Sequence, residues 1–343
     1  MRASLSKKLI TIFVALVISL LLAEVFLRIF GIGPWKNIII NNSETGKQIY
    51  TQDSTLGWIA KEGDYLINPI NPKGNKFHLT IEKDGQRKTG EFNRDDNDEI
   101  LVIGGSFSQG WGVNDEDTFS SKLQKKYNNF KVYNFGQGGY GSVQSLLLLE
   151  KQIPKMKSPK LVIYGFIEHH EYRNAARSQW LRTLAQYSKR GHVNTPYGLI
   201  GKNNNLIIKP PIGYINLPLR EVSALITLFE KAYMKNVSTK EFPRDSQRKK
   251  QQKLVTEKTI LQMKEVSNKF DADFFLVILD WANPLTKDQY ELFFKKNKIQ
   301  FVNCSIPLIN EMVLLGNYHP SKKAHTYYNE CLVNYIKKQE LLF

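Results

Sequence analysis

Five short apolar runs punctuate the chain after residue 95, at 100–103, 131–135, 161–166, 274–279 and 300–302. Runs of that length bounded by polar segments read as strands buried on both faces, which is how parallel strands are placed. Between and after them, helical spacing of apolar positions recurs at 118–127, 142–152, 254–269, 287–297 and 322–338. This alternation predicts an α/β fold, a doubly wound parallel sheet of about five strands with helices on both faces. The stretch 173–253, between the third and fourth strands, is roughly eighty residues and too long for an ordinary crossover. It predicts an inserted cap over the strand ends.

Ahead of the first strand the pattern is different. Arg2, Lys7 and Lys8 precede an uncharged run at 9–23, and apolar residues continue past Glu24 and Arg28 to Ile32. Together they reach the roughly 20 residues that a bilayer requires, so this end reads as a transmembrane signal-anchor. Basic residues before the span and few just after it place the amino terminus in the cytoplasm and the body outside, periplasmic or extracellular. A cleaved signal peptide is the alternative, but Leu21, Leu22 and Glu24 around Ala23 offer no small-x-small site. Residues 34–95, rich in Asn, Gly and Lys with a turn signal at Asp84-Gly85, read as an extension packed on the main domain. The expected organisation is an anchor at 1–33, an extension at 34–95 and a main domain at 96–343.

Composition narrows the function classes. Of 343 residues, 42% are hydrophobic and 23% charged, which suits a globular body. The net charge of +16 raises nucleic acid, but an outward-facing anchored body does not meet it, and no nucleic-acid partner is expected. The charge is scattered apart from 244–253, which reads as a solvated helix start or loop; contact with anionic lipid headgroups or acidic glycans is the functional alternative. Cys304 and Cys331 can bridge or stay as thiols in such a compartment. Without Cys-x-x-Cys or His-Glu-x-x-His, zinc lacks support, and no cofactor is expected.

The candidate chemistry lies between residues 99 and 144. The first apolar run leads into Gly104-Gly105-Ser106, which puts Ser106 at the carboxyl end of a strand, where open α/β sheets hold their ligands. After the second run come Gly136, Gly138, Gly139 and Gly141, whose N–H groups an oxyanion can approach without Cβ obstruction. A serine and an N–H cradle suggest acyl-ester chemistry. Taken alone, Ser106 could equally be a helix cap. Gly136-x-Gly138-x-x-Gly141 also fits a dinucleotide fingerprint, but the acidic residue due roughly 20 positions later is missing. A metal site from His169, His170, Glu171 and His319 is a further option, although neighbouring strand residues diverge by pleat and one pair does not easily ligate together.

The chain resembles the SGNH (GDSL-like) hydrolase family, in its membrane-anchored bacterial form. The likeness runs through Glu24-Val-Phe-Leu-Arg28, Leu56-Gly57-Trp58 and Asp84-Gly85-Gln86-Arg87, then Gly104-Gly105-Ser106-Phe107-Ser108-Gln109-Gly110-Trp111-Gly112-Val113. It continues with Asn134, Gly136, Gly139, Tyr140 and Gly141, and ends at Asn317-Tyr318-His319-Pro320-Ser321 followed by Ala324-His325. Many members carry Asp at the position of Gly105. The family's Asn-Asp pair after the third strand is here His169-His170, and its acid before the histidine is here Asn317.

The resemblance implies a flavodoxin-like sheet, Ser106 as nucleophile, His319 as general base, and an oxyanion hole from the N–H groups of Ser106 and Gly139. His169 or His170 would supply the third donor, since an imidazole N–H donates as an amide does. Asn317 would orient His319; Asp280, after the fourth strand, is a replacement acid to be tested. Arg173, Asn174, Trp281 and Asn283 are candidate substrate contacts, and Arg177, Trp180, Arg182 and Tyr187 fall on an expected cap helix. The implied activity is a serine esterase acting on O-acyl esters, for example O-acetyl esters, of an acylated envelope glycan or lipid. A pocket that only binds such a ligand, or one that transfers the acyl group, would leave the same pattern.

Overall fold

The computed structural model describes residues 2–342 except 38–42, 45, 70, 92–97, 188–192, 238, 240–242 and 282. It opens with helix α1 (Arg2–Ile29), of which Ser6–Ile29 contains an 18-residue stretch with a mean hydropathy of 2.7 and is long and apolar enough to cross a membrane. Two antiparallel hairpins follow, β1 (Tyr50–Asp53) with β2 (Gly57–Ala60) and β3 (Gly63–Ile67) with β4 (Phe77–Ile81). These fall in the expected extension.

The main body runs β5 (Asp98–Gly104), α2 (Ser106–Gln109), α3 (Phe119–Lys126), β6 (Phe130–Asn134), α4 (Ser142–Gln152) and β7 (Pro159–Ile167). The insertion then supplies α5 (His170–Asn174), α6 (Ser178–Tyr187), the hairpin β8 (Thr195–Ile200) and β9 (Leu206–Ile212), and α7 (Ala224–Asn236). The chain returns through α8 (Asp245–Lys269), β10 (Asp273–Asp280), α9 (Pro284–Lys296), β11 (Gln300–Asn303), β12 (Val313–Leu314), β13 (Asn317–Pro320) and α10 (Lys322–Lys338).

The central sheet has the order β11-β10-β7-β5-β6, every neighbouring pair parallel. Counting only these strands in chain order, this is the flavodoxin-like 5-4-3-1-2, whose direction of winding reverses between β5 and β7. The uninterrupted apolar runs resolve into two faces once the pleat is imposed. Leu101 and Ile103 join Val162 and Tyr164 under α4, α8 and α9, through Leu146, Leu149, Ile260, Met263 and Phe294. Ile100 and Val102 join Ile163 and Val277 under α3 and α10, through Phe119, Leu123, Tyr328 and Leu332. Both faces need cover because neither carries polar positions. That is why the strand pattern lacked alternation.

Cys304 and Cys331 form a disulfide that ties the segment after β11 to α10. The basic run at 244–253 is, as expected, a helix start with Arg244, Lys249 and Lys250 exposed, and it departs from that solvated form at Arg248. It makes the first turns of α8, and Arg248 is fully buried, donating to the Ala176 carbonyl and lying 3.7 Å from Asp245. The inserted segment therefore gives way to the crossover helix α8 near residue 245, before the expected 253.

Candidate active site

Ser106 starts α2 immediately past the end of β5, at the reversal point of the sheet. Its partner arrives from 213 residues away: His319 Nε2 lies 2.8 Å from Ser106 Oγ. On the other side of the ring, His319 Nδ1 lies 2.5 Å from Asn317 Oδ1. Residues 317 and 319 are two apart on β13, so strand periodicity puts both side chains on one face. An amide oxygen accepts, so Nδ1 carries the proton and Nε2 presents its lone pair to the serine hydroxyl. That is the tautomer a general base requires.

The electrostatics around His319 are unusual for such a base. Burial first, then the Arg173 guanidinium and His169, push its pKa down to about 3. Arg173 is only 9% exposed; its Nη1 donates to the Tyr140 carbonyl at 2.9 Å and its guanidinium stacks 4.7 Å from the Trp180 ring. A cation is thus held beside a histidine that has an amide where a carboxylate would favour the charged form.

The loop after β6 is set against these groups. Asn134 donates to the Ser108 carbonyl at 3.0 Å and accepts from the Gly136 N–H at 3.0 Å, which locks the loop to α2. Gly139 has φ of +82°, and a Cβ there would come within 3.1 Å of the Trp58 ring. Glycine is required both by the backbone and by the indole under it. Trp58 Nε1 donates to the Gly138 carbonyl at 3.0 Å, and Gln137 bridges the Ala60 N–H at 3.0 Å to the Gly85 carbonyl at 2.6 Å.

The turn containing Arg87 buttresses the segment after Ser106. Arg87 is 1% exposed and donates to Asp115 (2.8 Å) and to the carbonyls of Gln109 (3.0 Å), Gly110 (2.5 Å), His78 (2.9 Å) and Val113 (2.7 Å). Trp58, Arg87 and Gln137 were not among the expected site residues. For Trp58 and Arg87 the signal was present in Leu56-Gly57-Trp58 and Asp84-Gly85-Gln86-Arg87, which spacing alone does not connect to a loop fifty residues on.

Several expected contacts take other places. His170 is fully buried, its Nδ1 2.7 Å from Tyr164 Oη, and its Nε2 lies behind Gly105, where a Cβ would approach it to 2.8 Å. Its ring fills the room that a side chain at residue 105 would need. Asn174 is also spent: its oxygen accepts from the Val143 N–H at 3.1 Å, and its amide donates to Ser142 at 2.9 Å and Thr256 at 2.7 Å. Asn283 caps α9 by accepting from the Leu285 N–H at 3.0 Å, and Trp281 donates to Thr286 at 2.9 Å while packing on Phe166 and Tyr290. These bonds serve helix and core packing near the end of β10.

Asp280 is not the orienting acid, since His319 Nδ1 is occupied by Asn317; burial and then Glu168 raise its pKa to about 6. His169 is exposed at the rim, with its ring near Tyr172. It adjoins a pocket of about 370 Å³ lined by Glu168, Glu171, Tyr172, Arg177 and Gln179.

His325 is a second buried imidazole, stacked on Phe119 and accepting from the Phe119 N–H at 3.3 Å. Burial, helped by Arg87, pushes its pKa down to about 3 from 6.5. Between those values the unfolded chain binds a proton that the native state does not, so acid favours unfolding. From pH 7 to pH 5 this group costs about 2 kcal/mol. Urea midpoints of the wild type and His325→Gln should show that part of the pH slope missing in the variant. The difference separates His325 from Asp280, whose protonation stabilises the fold over part of the same range. Equal slopes would contradict the assignment.

No family model matches the sequence, and no curated protein matches it. Among solved structures, the chain is similar to a member of the lipolytic G-D-S-L family from Veillonella parvula, at 10% identity and a TM-score of 0.40, over 69% of this chain and 96% of that one. It is similar also to a psychrotrophic esterase from Pseudoalteromonas sp., at 12% identity and a TM-score of 0.40, over 71% of this chain and 99% of that one. Likeness at this level leaves the chemistry to be read from strand order and site geometry alone.

Proposed function

We propose that the chain is a membrane-anchored serine ester hydrolase of SGNH type, its body outside the membrane, acting on O-acyl esters of an envelope glycan or lipid. The observation that supports it is the relay Ser106 Oγ, His319 Nε2, His319 Nδ1, Asn317 Oδ1, at 2.8 and 2.5 Å. Ser106 Oγ attacks the ester carbonyl while its proton passes to Nε2. The tetrahedral intermediate collapses as Nε2 returns that proton to the leaving alkoxide. Water then repeats the sequence on the acyl-serine and releases the acid. The N–H groups of Ser106 and Gly139 take the oxyanion, with His169 at the rim as the remaining imidazole candidate.

The amide at 317 makes this base distinctive. Arg173 disfavours the imidazolium but favours the oxyanion, so one buried cation acts with opposite sign on the two charges formed in the same step. With His319 at about 3, the imidazole is neutral throughout the ordinary range, and activity should show no acid limb between roughly pH 5 and 8. Asn317→Asp adds the missing negative charge. It should raise the pKa of His319, bring an acid limb into that range, and lift the plateau of kcat/KM on the order of tenfold. Hydrolysis of an aryl acetate by the two proteins across pH reads this directly. An unchanged profile, or a collapse of the plateau, would show that His319 is not oriented by residue 317 in the way proposed.

A second reading is favoured by the same amide: a module that keeps the pocket and binds an acylated ligand without turnover. It predicts no activity in either protein, together with retained binding.

A further inference from the structure

Helix α7 carries an apolar stripe that the chemistry above does not use. Ala224, Thr227, Glu230 and Met234 face inward and are buried. On the other side, Val222 just ahead of the helix is 62% exposed, Phe229 59% and Tyr233 37%, with Leu225 and Ile226 half-buried between them. Leu219, in the turn before, is 67% exposed. Positions 222, 225/226, 229 and 233 fall on one side of a helix. Isolated exposed apolar residues are ordinary, but a continuous row is not.

The start of this helix is fastened to the end of α1. Glu24 accepts from the Ala224 N–H at 2.8 Å, the Leu225 N–H at 3.0 Å and Ser223 Oγ at 2.9 Å, capping α7. Arg28 donates to Glu24 at 2.8 Å and to the Val222 carbonyl at 2.7 Å. Glu24 lies five residues before Ile29, where α1 ends. At 1.5 Å per residue the contact sits about 7 Å back along the helix. That depth matches the roughly 5–10 Å to which interfacial helices embed their apolar faces.

We infer that α7 lies in the outer interface of the bilayer that α1 crosses, its row of Val222, Leu225, Phe229 and Tyr233 embedded among headgroups and upper acyl chains. This rests on reading α1 as a membrane span. It also gives the insertion a task. Met234 on the inner face of α7 packs in one cluster with Leu181 and Ala185 of α6, and Trp180 of α6 covers Arg173 and approaches Gly139. The bilayer surface, α7, α6 and the serine site are thus linked by direct packing, which fixes the site at a set height above the lipid.

The test uses the full chain in nanodiscs of phosphatidylcholine and phosphatidylglycerol. The two native cysteines are bridged, so a nitroxide attaches only to the new thiol in Phe229→Cys, Leu16→Cys or Lys337→Cys. Residue 16 lies within the span, and residue 337 on α10, on the opposite face of the sheet from the α8 side. Collision with oxygen reports lipid, and collision with a water-soluble nickel chelate reports solvent. The labels at 229 and 16 should favour oxygen several-fold over the label at 337. A label at 229 as nickel-accessible as that at 337, with 16 still in lipid, would overturn the inference alone. Nickel access at 16 would overturn the membrane span and the inference with it.

Discussion

Replacing Ser106 by alanine is expected to lower ester turnover by about 10⁴-fold or more while leaving the fold intact. The hydroxyl is the only atom removed, and Ser106 is a small, 7% exposed side chain at a helix start, so packing changes little. His319→Ala should cost a similar factor, because without Nε2 the serine keeps its proton. The two losses should not add, since each variant disables the same step. The combined variant is therefore expected to be no slower than either single one. Turnover of the singles and the double against a common aryl acetate measures this. Residual activity within tenfold of wild type in either single variant would sink the assignment of roles.

Arg87→Ala is expected to destabilise the protein by about 3–5 kcal/mol, which is a large part of the stability of an ordinary domain. The guanidinium has no exposed face, and its loss strands four carbonyls and leaves the Asp115 carboxylate, only 15% exposed, without its cation. Lysine does not repair this, because one ammonium cannot reach acceptors arranged around a planar fork. Three of those carbonyls, at Gln109, Gly110 and Val113, belong to the segment that follows Ser106, so activity should fall with stability even where the variant still folds. Urea unfolding with an unchanged m-value would report the loss. A change below about 1 kcal/mol would show that Arg87 is replaceable by water and that the extension does not buttress the site.

The sheet was legible because both of its faces are covered. Runs such as 274–279 carry no polar position to confuse the period, and the helices at 142–152 and 322–338 begin and end where their caps and periodicity indicate. Ser106, Asn317 and His319 were legible from motif residues, and the structure brings these three into contact. What sequence could not supply was direction. His170 and Asn174 follow a strand end, as substrate contacts do, yet both are buried, with Tyr164 Oη on His170 Nδ1 and Ser142 Oγ on the Asn174 amide. Asn283 has the residue type of a ligand contact and also the position of a helix cap, which its oxygen fills because α9 begins beside it. The role of Trp58 depends on a contact with Gly138 eighty residues away, which no local pattern encodes.

A side chain at residue 105 and the His170 ring compete for one space. A Cβ at Gly105, next to Ser106, would come within 2.8 Å of His170 Nε2 and 3.2 Å of the Tyr140 carbonyl oxygen. A change at one of these positions without the other leaves either a clash or a void.

The most direct test of the serine assignment is covalent labelling of the folded protein by a fluorophosphonate probe, with the modified residue located by mass spectrometry. A serine whose proton is drawn by His319 should be labelled at Ser106, and Ser106→Ala should take no label. A folded wild-type protein that remains unlabelled, or is labelled elsewhere, would contradict the account and favour the binding module.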